Sequence, residues 1–143
     1  MKPIKIFSIL LMLCLGIATV ATAQPAAVKK AANTTFTLTT FDAKGSILST
    51  SNGVFVSNNG ICVSAWKPFV GAMKAEVTDN NGQKYSVETI LGANELYDVA
   101  KFKITAKTNA ALFAPSVVAN SAAWIVMPSQ AGAPVKANID KVE

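Results

Sequence analysis

There is no histidine and no arginine among the 143 residues, and cysteine occurs only twice, at Cys14 and Cys62. Without histidine the chain lacks the side chain that most readily takes and returns a proton near neutral pH. Without arginine it lacks the planar, two-pronged phosphate reader that nucleic-acid surfaces favour, so a nucleic-acid role is not expected. Metal-ligand clusters would have no histidine to draw on, and neither a metal nor any other cofactor is expected. The glycines carry no Gly-Lys-Ser/Thr phosphate loop, and Gly53, Gly60 and Gly71 read as turn glycines.

What is present begins with an export signal. Lys2 and Lys5 precede an apolar run from Ile6 to Val20, and Ala21-Thr-Ala23 follows as a small-x-small cleavage site. The run is short for a membrane-spanning helix, which needs roughly 20 apolar residues. Cleavage after Ala23 leaves no transmembrane segment and directs the chain to the periplasm, the outer-membrane surface or the medium. It also removes Lys2, Lys5 and Cys14, leaving 11 lysines against eight acidic residues and Cys62 as the sole cysteine. No internal disulfide can then form, and Cys62, at an alternating strand position, reads as a small packed apolar residue. About 120 mature residues suffice for one core.

Beyond a leader from Gln24 to Asn33, in which Lys29-Lys30 reads as a solvated pair, the pattern is β throughout. Thr35 to Phe41 alternates and ends in Asp42-Ala-Lys-Gly45, a turn with glycine last. Ser51 to Ala72 holds a hairpin in which Val54-Phe-Val56 and Ile61-Cys-Val63 flank an Asn-Asn-Gly turn, and Pro68 ends the second strand. A second hairpin joins Lys74–Thr78 to Gln83–Leu91 through Asp79-Asn-Asn-Gly82, and Val99–Ile104 closes the series. Six or seven strands about ten residues apart indicate an all-β barrel or sandwich. After an Ala-rich connector, Ala123–Met127 and Val135–Val142 read as two more strands, with Trp124, like Trp66, placed in the core.

Two stretches carry a resemblance. The hairpin of Gly53 to Lys67 resembles the segment Gly-Ser-Gly-Phe-x-Ile-x-x-x-Gly-x-Ile-Leu-Thr-Asn-x-His-Val of bacterial trypsin-like serine peptidases, with Lys67 at the histidine position. Asp98-Val-Ala-Lys-Phe-Lys-Ile104 resembles that family's Asp-(Leu/Ile)-Ala-x-x-Lys-(Ile/Val) segment, which places Asp98 at the catalytic aspartate. The Asn-Gly-x-Phe-Val and Lys-Pro-Phe-x-Gly-Ala stretches also resemble degenerate members of the family in exported Bacteroidetes-type proteins. The resemblance implies the first six-stranded antiparallel barrel of a trypsin-like double barrel over residues 34–105, a connector over 106–121, and the opening strands of an incomplete second barrel over 122–143.

It also bears on activity. The family's glycine-framed serine segment, Gly-x-Ser-Gly, is absent, so the chain is expected to be an N-terminal piece of such a domain. In the family mechanism serine attacks, histidine shuttles its proton and aspartate orients the histidine. Loss of the histidine from such a triad costs roughly a millionfold in turnover. Lys67 could replace it only if desolvated; otherwise it is a solvated loop lysine or an ion-pair partner of Asp98. The expectation is a non-catalytic binding or scaffold module, with protein or peptide as partner. Two alternatives stand beside it: the N-terminal part of an active endopeptidase whose serine lies beyond Glu143, and an unrelated envelope β-sandwich that binds glycan or peptide.

Overall fold

The structure, a computed structural model, describes residues 26–128 and 133–142. The signal segment read over residues 1–23 lies outside the described residues. Where the sequence suggests a leader, Ala26–Ala32 forms a helix, α1. Seven residues are too few to hold a helix alone. Its end is tied down instead: the Thr34 and Thr35 hydroxyls donate to the Ala31 and Ala32 carbonyls at 2.7 Å each, and Asn80 Nδ2 also donates to Ala32. Val28 is the buried anchor.

Six strands follow: β1 (Thr35–Phe41), β2 (Ile47–Phe55), β3 (Ile61–Ser64), β4 (Lys74–Thr78), β5 (Lys84–Asn94) and β6 (Val99–Ile104). They close into an antiparallel barrel in the order β1-β2-β3-β6-β5-β4, with β1 paired to both β2 and β4. Closure leaves no free strand edge in the barrel. The turns follow the sequence pattern. Asp42 Oδ1 accepts from the Lys44 and Ser46 N–H groups, Asp79 Oδ1 accepts from those of Asn81 and Gln83, and Gly45, Gly60 and Gly82 all have positive φ.

The interior takes residues from five of the six strands: Phe36 and Leu38 from β1, Phe55 from β2, Cys62 from β3, Ala75 and Val77 from β4, and Phe102 and Ile104 from β6, with Tyr85 and Val87 of β5 partly buried against them. Three phenylalanine rings meet at its centre, with Phe36 4.8 Å from Phe55 and 5.9 Å from Phe102 between centroids. Space for them comes from small inward residues on β2, and this corrects the reading of Gly53 as a turn glycine. Gly53 lies within β2, opposite Ser64, and a Cβ there would sit 2.3 Å from Phe36 Cζ and 2.7 Å from the Val63 carbonyl oxygen. The glycine is required by the close approach of a ring.

Cys62 is fully buried, as the alternation suggests, and burial pushes its thiol up to about 12. A folded-state value above the ordinary 9.0 means that the folded chain holds the proton longer than the unfolded chain does. Its stabilising effect is therefore complete below about pH 9 and is lost as pH rises toward about 12, by up to about 4 kcal/mol. Urea denaturation from pH 8 to pH 11 is expected to show a steeper alkaline loss for the native chain than for Cys62→Ala. Equal slopes would show that the thiol does not ionise on unfolding.

Past the barrel, β7 (Ser121–Ile125) and β8 (Val135–Ile139) form a separate two-stranded antiparallel sheet. Trp124 on β7 is 37% exposed, contrary to its placement in the core. Alternation alone cannot tell a covered sheet face from an open one. Among the described residues no helix is long and apolar enough to cross a membrane.

Candidate functional site

The two residues singled out by the sequence lie together at one end of the barrel. Lys67 opens a single 3₁₀ turn, Lys67–Phe69, which follows β3. Pro68 fixes the turn's backbone and is buried, while the Phe69 ring packs edge-on to Phe102 at 5.3 Å and stacks on Trp66 at 6.1 Å. The turn thus plugs the barrel with Pro68 and Phe69 and turns the Lys67 side chain out to solvent.

Asp98 stands at the start of β6, ending the tight turn that links it to β5. Its backbone is left-handed, with φ 52°, a region that aspartate tolerates better than most residues. The turn is braced by the Asp98 N–H donating to the Glu95 carbonyl and the Tyr97 N–H donating to Asn94 Oδ1. From this position Asp98 Oδ1 accepts two backbone N–H groups of the facing loop, from Trp66 at 3.0 Å and from Lys67 at 2.7 Å. The Trp66 N–H also lies 3.3 Å from the Asp98 carbonyl oxygen.

Asp98 and Lys67 are therefore brought together through the Lys67 backbone, and not through its ammonium. Among the described residues Lys67 forms no ion pair, whereas Lys74 and Glu76 pair at 2.7 Å on the outside of β4. Of the two roles the sequence allows Lys67 apart from that of a base, the solvated lysine is the one observed. Three side-chain functions are needed for acyl transfer by a hydroxyl nucleophile: the nucleophile, a proton acceptor beside it, and a group that orients the acceptor. The sequence holds no histidine to act as that acceptor, and Asp98 Oδ1 is engaged by the main chain. Ser64, buried two residues before Trp66, donates its hydroxyl to the Ala65 carbonyl at 3.0 Å.

Comparison with solved structures decides the fold. The chain is similar to a serine endoprotease from Yersinia pestis at 24% sequence identity and a TM-score of 0.51, over 55% of this chain and 28% of that one. The fold is a trypsin-like barrel. The chain spans well under a third of that endoprotease. No protein-family profile matches the chain, and no curated protein matches it in sequence.

Within the trypsin-like barrel, two features escape sequence reasoning. The acceptance of the Trp66 and Lys67 N–H groups by one aspartate bridges more than 30 positions, and no local pattern announces it; the only signal is the repeated spacing of the two resembling segments. The second is a polar cleft at the opposite end of the barrel, of about 260 Å³, where Asn33, the Asp79–Asn81 turn and Asn109 converge. Its residues are scattered over the sequence and include no reactive group. Among the described residues no group of three or more His, Cys, Asp or Glu is gathered that could hold a metal ion.

Proposed function

We infer that the chain is an exported, non-catalytic trypsin-like domain that serves as a binding or scaffold module outside the cytoplasm, with β7 and β8 as the first strands of a second barrel. The observation that carries this reading is the state of the former dyad. The position matching the family histidine holds an exposed lysine, so the aspartate has no histidine to orient, and its Oδ1 accepts the N–H groups of the same loop. A lysine acting as general base has to be desolvated, and the exposure of Lys67 weighs against that alternative. Export rests on the signal pattern of Met1 to Ala23.

The test is hydrolysis. The mature chain is expected to cleave neither casein nor a panel of fluorogenic peptides above the buffer rate, and to remain unlabelled by a fluorophosphonate probe for activated serine. Lys67→Ala should change stability by less than about 0.5 kcal/mol, as surface substitutions do, and leave that baseline untouched. Turnover by the native chain that disappears in Lys67→Ala would overturn the reading and make Lys67 the base.

A further inference from the structure

The cleft at the far end of the barrel from Asp98 has the chemistry of a site. Its walls are the end of α1, the β4–β5 turn and the segment that leaves β6, and its polar lining is dominated by side-chain amides: Asn33, Asn81 and Asn109. These three amides are exposed. Among the described residues their side chains make no hydrogen bond, whereas Asn80 beside them is committed to the Ala32 carbonyl and Thr35. An unengaged asparagine offers two donors and an acceptor on one planar group.

The cleft also has structural rigidity. Thr108 donates its hydroxyl to the Ser57 carbonyl at 2.6 Å, and its N–H donates to the Asn58 carbonyl at 3.2 Å, which pins the segment carrying Asn109 to the barrel. Asn58 Oδ1 accepts the Ala110 N–H at 3.1 Å. The Asp79 turn is held by two Oδ1 contacts at 2.8 and 2.9 Å. Three free amides are thus mounted on fixed backbone, as a preformed site needs. A second hollow of about 370 Å³ continues from the first, sharing Asn33 and Asn109 and adding Leu112 as an apolar wall.

The charge balance defines the ligand. One carboxylate, Asp79, is engaged by its own turn and by the half-buried Tyr85, one ammonium, Lys107, lies on the rim, and a second, Lys30, lines the adjoining hollow. No cluster of either sign favours an ion. Peptide side chains need apolar pockets, and this lining supplies few. What amides and a tyrosine ring match is a neutral surface dense in hydroxyls that both donate and accept. We propose that the cleft bounded by Asn33, Asn81 and Asn109 binds a neutral oligosaccharide, with the adjoining hollow taking a further sugar unit. The assignment rests on the reading of the chain as a binding module and names the ligand class.

The experiment is a titration of the ¹⁵N-labelled mature chain with maltotriose, cellotriose and N,N′,N″-triacetylchitotriose, following the asparagine side-chain amides. At least one sugar is expected to give saturable shifts centred on Asn33, Asn81 and Asn109, and the double variant Asn33→Ala/Asn109→Ala to bind it about tenfold more weakly. Asn52→Ala, on the outside of β2, should bind as the native chain does. Absence of saturable shifts with all three sugars, shifts centred elsewhere, or tighter binding of a Gly-Ser hexapeptide in the same cleft would overturn the proposal. Peptide hydrolysis alongside intact sugar binding would sink only the non-catalytic reading; a silent titration without hydrolysis would sink only the saccharide site.

Discussion

Gly60→Ala is expected to destabilise the barrel by about 3 kcal/mol or more, enough to unfold a large share of a marginally stable domain. Two effects combine. Gly60 has φ +85°, where a Cβ costs about 1–2 kcal/mol, and that Cβ would lie 2.1 Å from the Ile104 carbonyl oxygen. The neighbour is backbone and cannot rotate away. It is also held in place, because the Ile104 N–H donates to the Gly60 carbonyl at 2.9 Å and joins the β2–β3 turn to the end of β6. Chemical denaturation gives the number, and a loss below about 1 kcal/mol would mean that the turn relaxes without disturbing β6.

Phe36→Ala carries the second large effect, an expected loss of about 3–5 kcal/mol. The ring is fully buried, touches both other core phenylalanines and lies against Gly53 across the β1–β2 pair. That last contact makes a sharper forecast. Gly53→Ala should destabilise strongly in the native background, since its Cβ would be 2.3 Å from the ring. It should cost measurably less once Phe36 is alanine, with a coupling of about 0.5–3 kcal/mol, because only the 2.7 Å approach to the Val63 oxygen remains. Additive losses in the two backgrounds would show that Gly53 is present for the backbone alone.

The Gly53 case shows where the sequence is legible and where it is not. Turn chemistry can be read directly: the Asp42–Gly45, Asn58–Gly60 and Asp79–Gly82 segments each supply a polar side chain and a positive-φ glycine, and each turns as expected. Alternation places Phe36, Leu38, Cys62 and Phe102 inside because period 2 is a property of the strand itself. A glycine within a strand carries no local mark to separate it from a turn glycine, since its reason is a ring that arrives from another strand. The same holds for α1, which exists because Thr34, Thr35 and Asn80 secure its end. Trp124 was misplaced for the complementary reason, as the apolar pattern of β7 does not reveal what covers it.

The candidate site divides in the same way. Asp98 and Lys67 are singled out by the resemblance of their segments to the peptidase motifs, and the pairing of β3 with β6 brings those segments side by side. The contact between them was not foreseeable as drawn: a left-handed aspartate turns its carboxylate onto the N–H groups of Trp66 and Lys67 and leaves the lysine side chain in water. Nor was the amide cleft, whose asparagines belong to three segments with no shared pattern.

The central claim is that Asp98 Oδ1 holds the Trp66–Lys67 backbone in place. Native-state amide exchange at Trp66 and Lys67, compared between the native chain and Asp98→Ala, tests it most directly. The account predicts that both amides are protected in the native chain and exchange at least about tenfold faster in the variant, while the Cys62 and Phe102 amides slow or quicken only with global stability. Unchanged protection at Trp66 and Lys67 would contradict it, leaving the aspartate without the structural role assigned here.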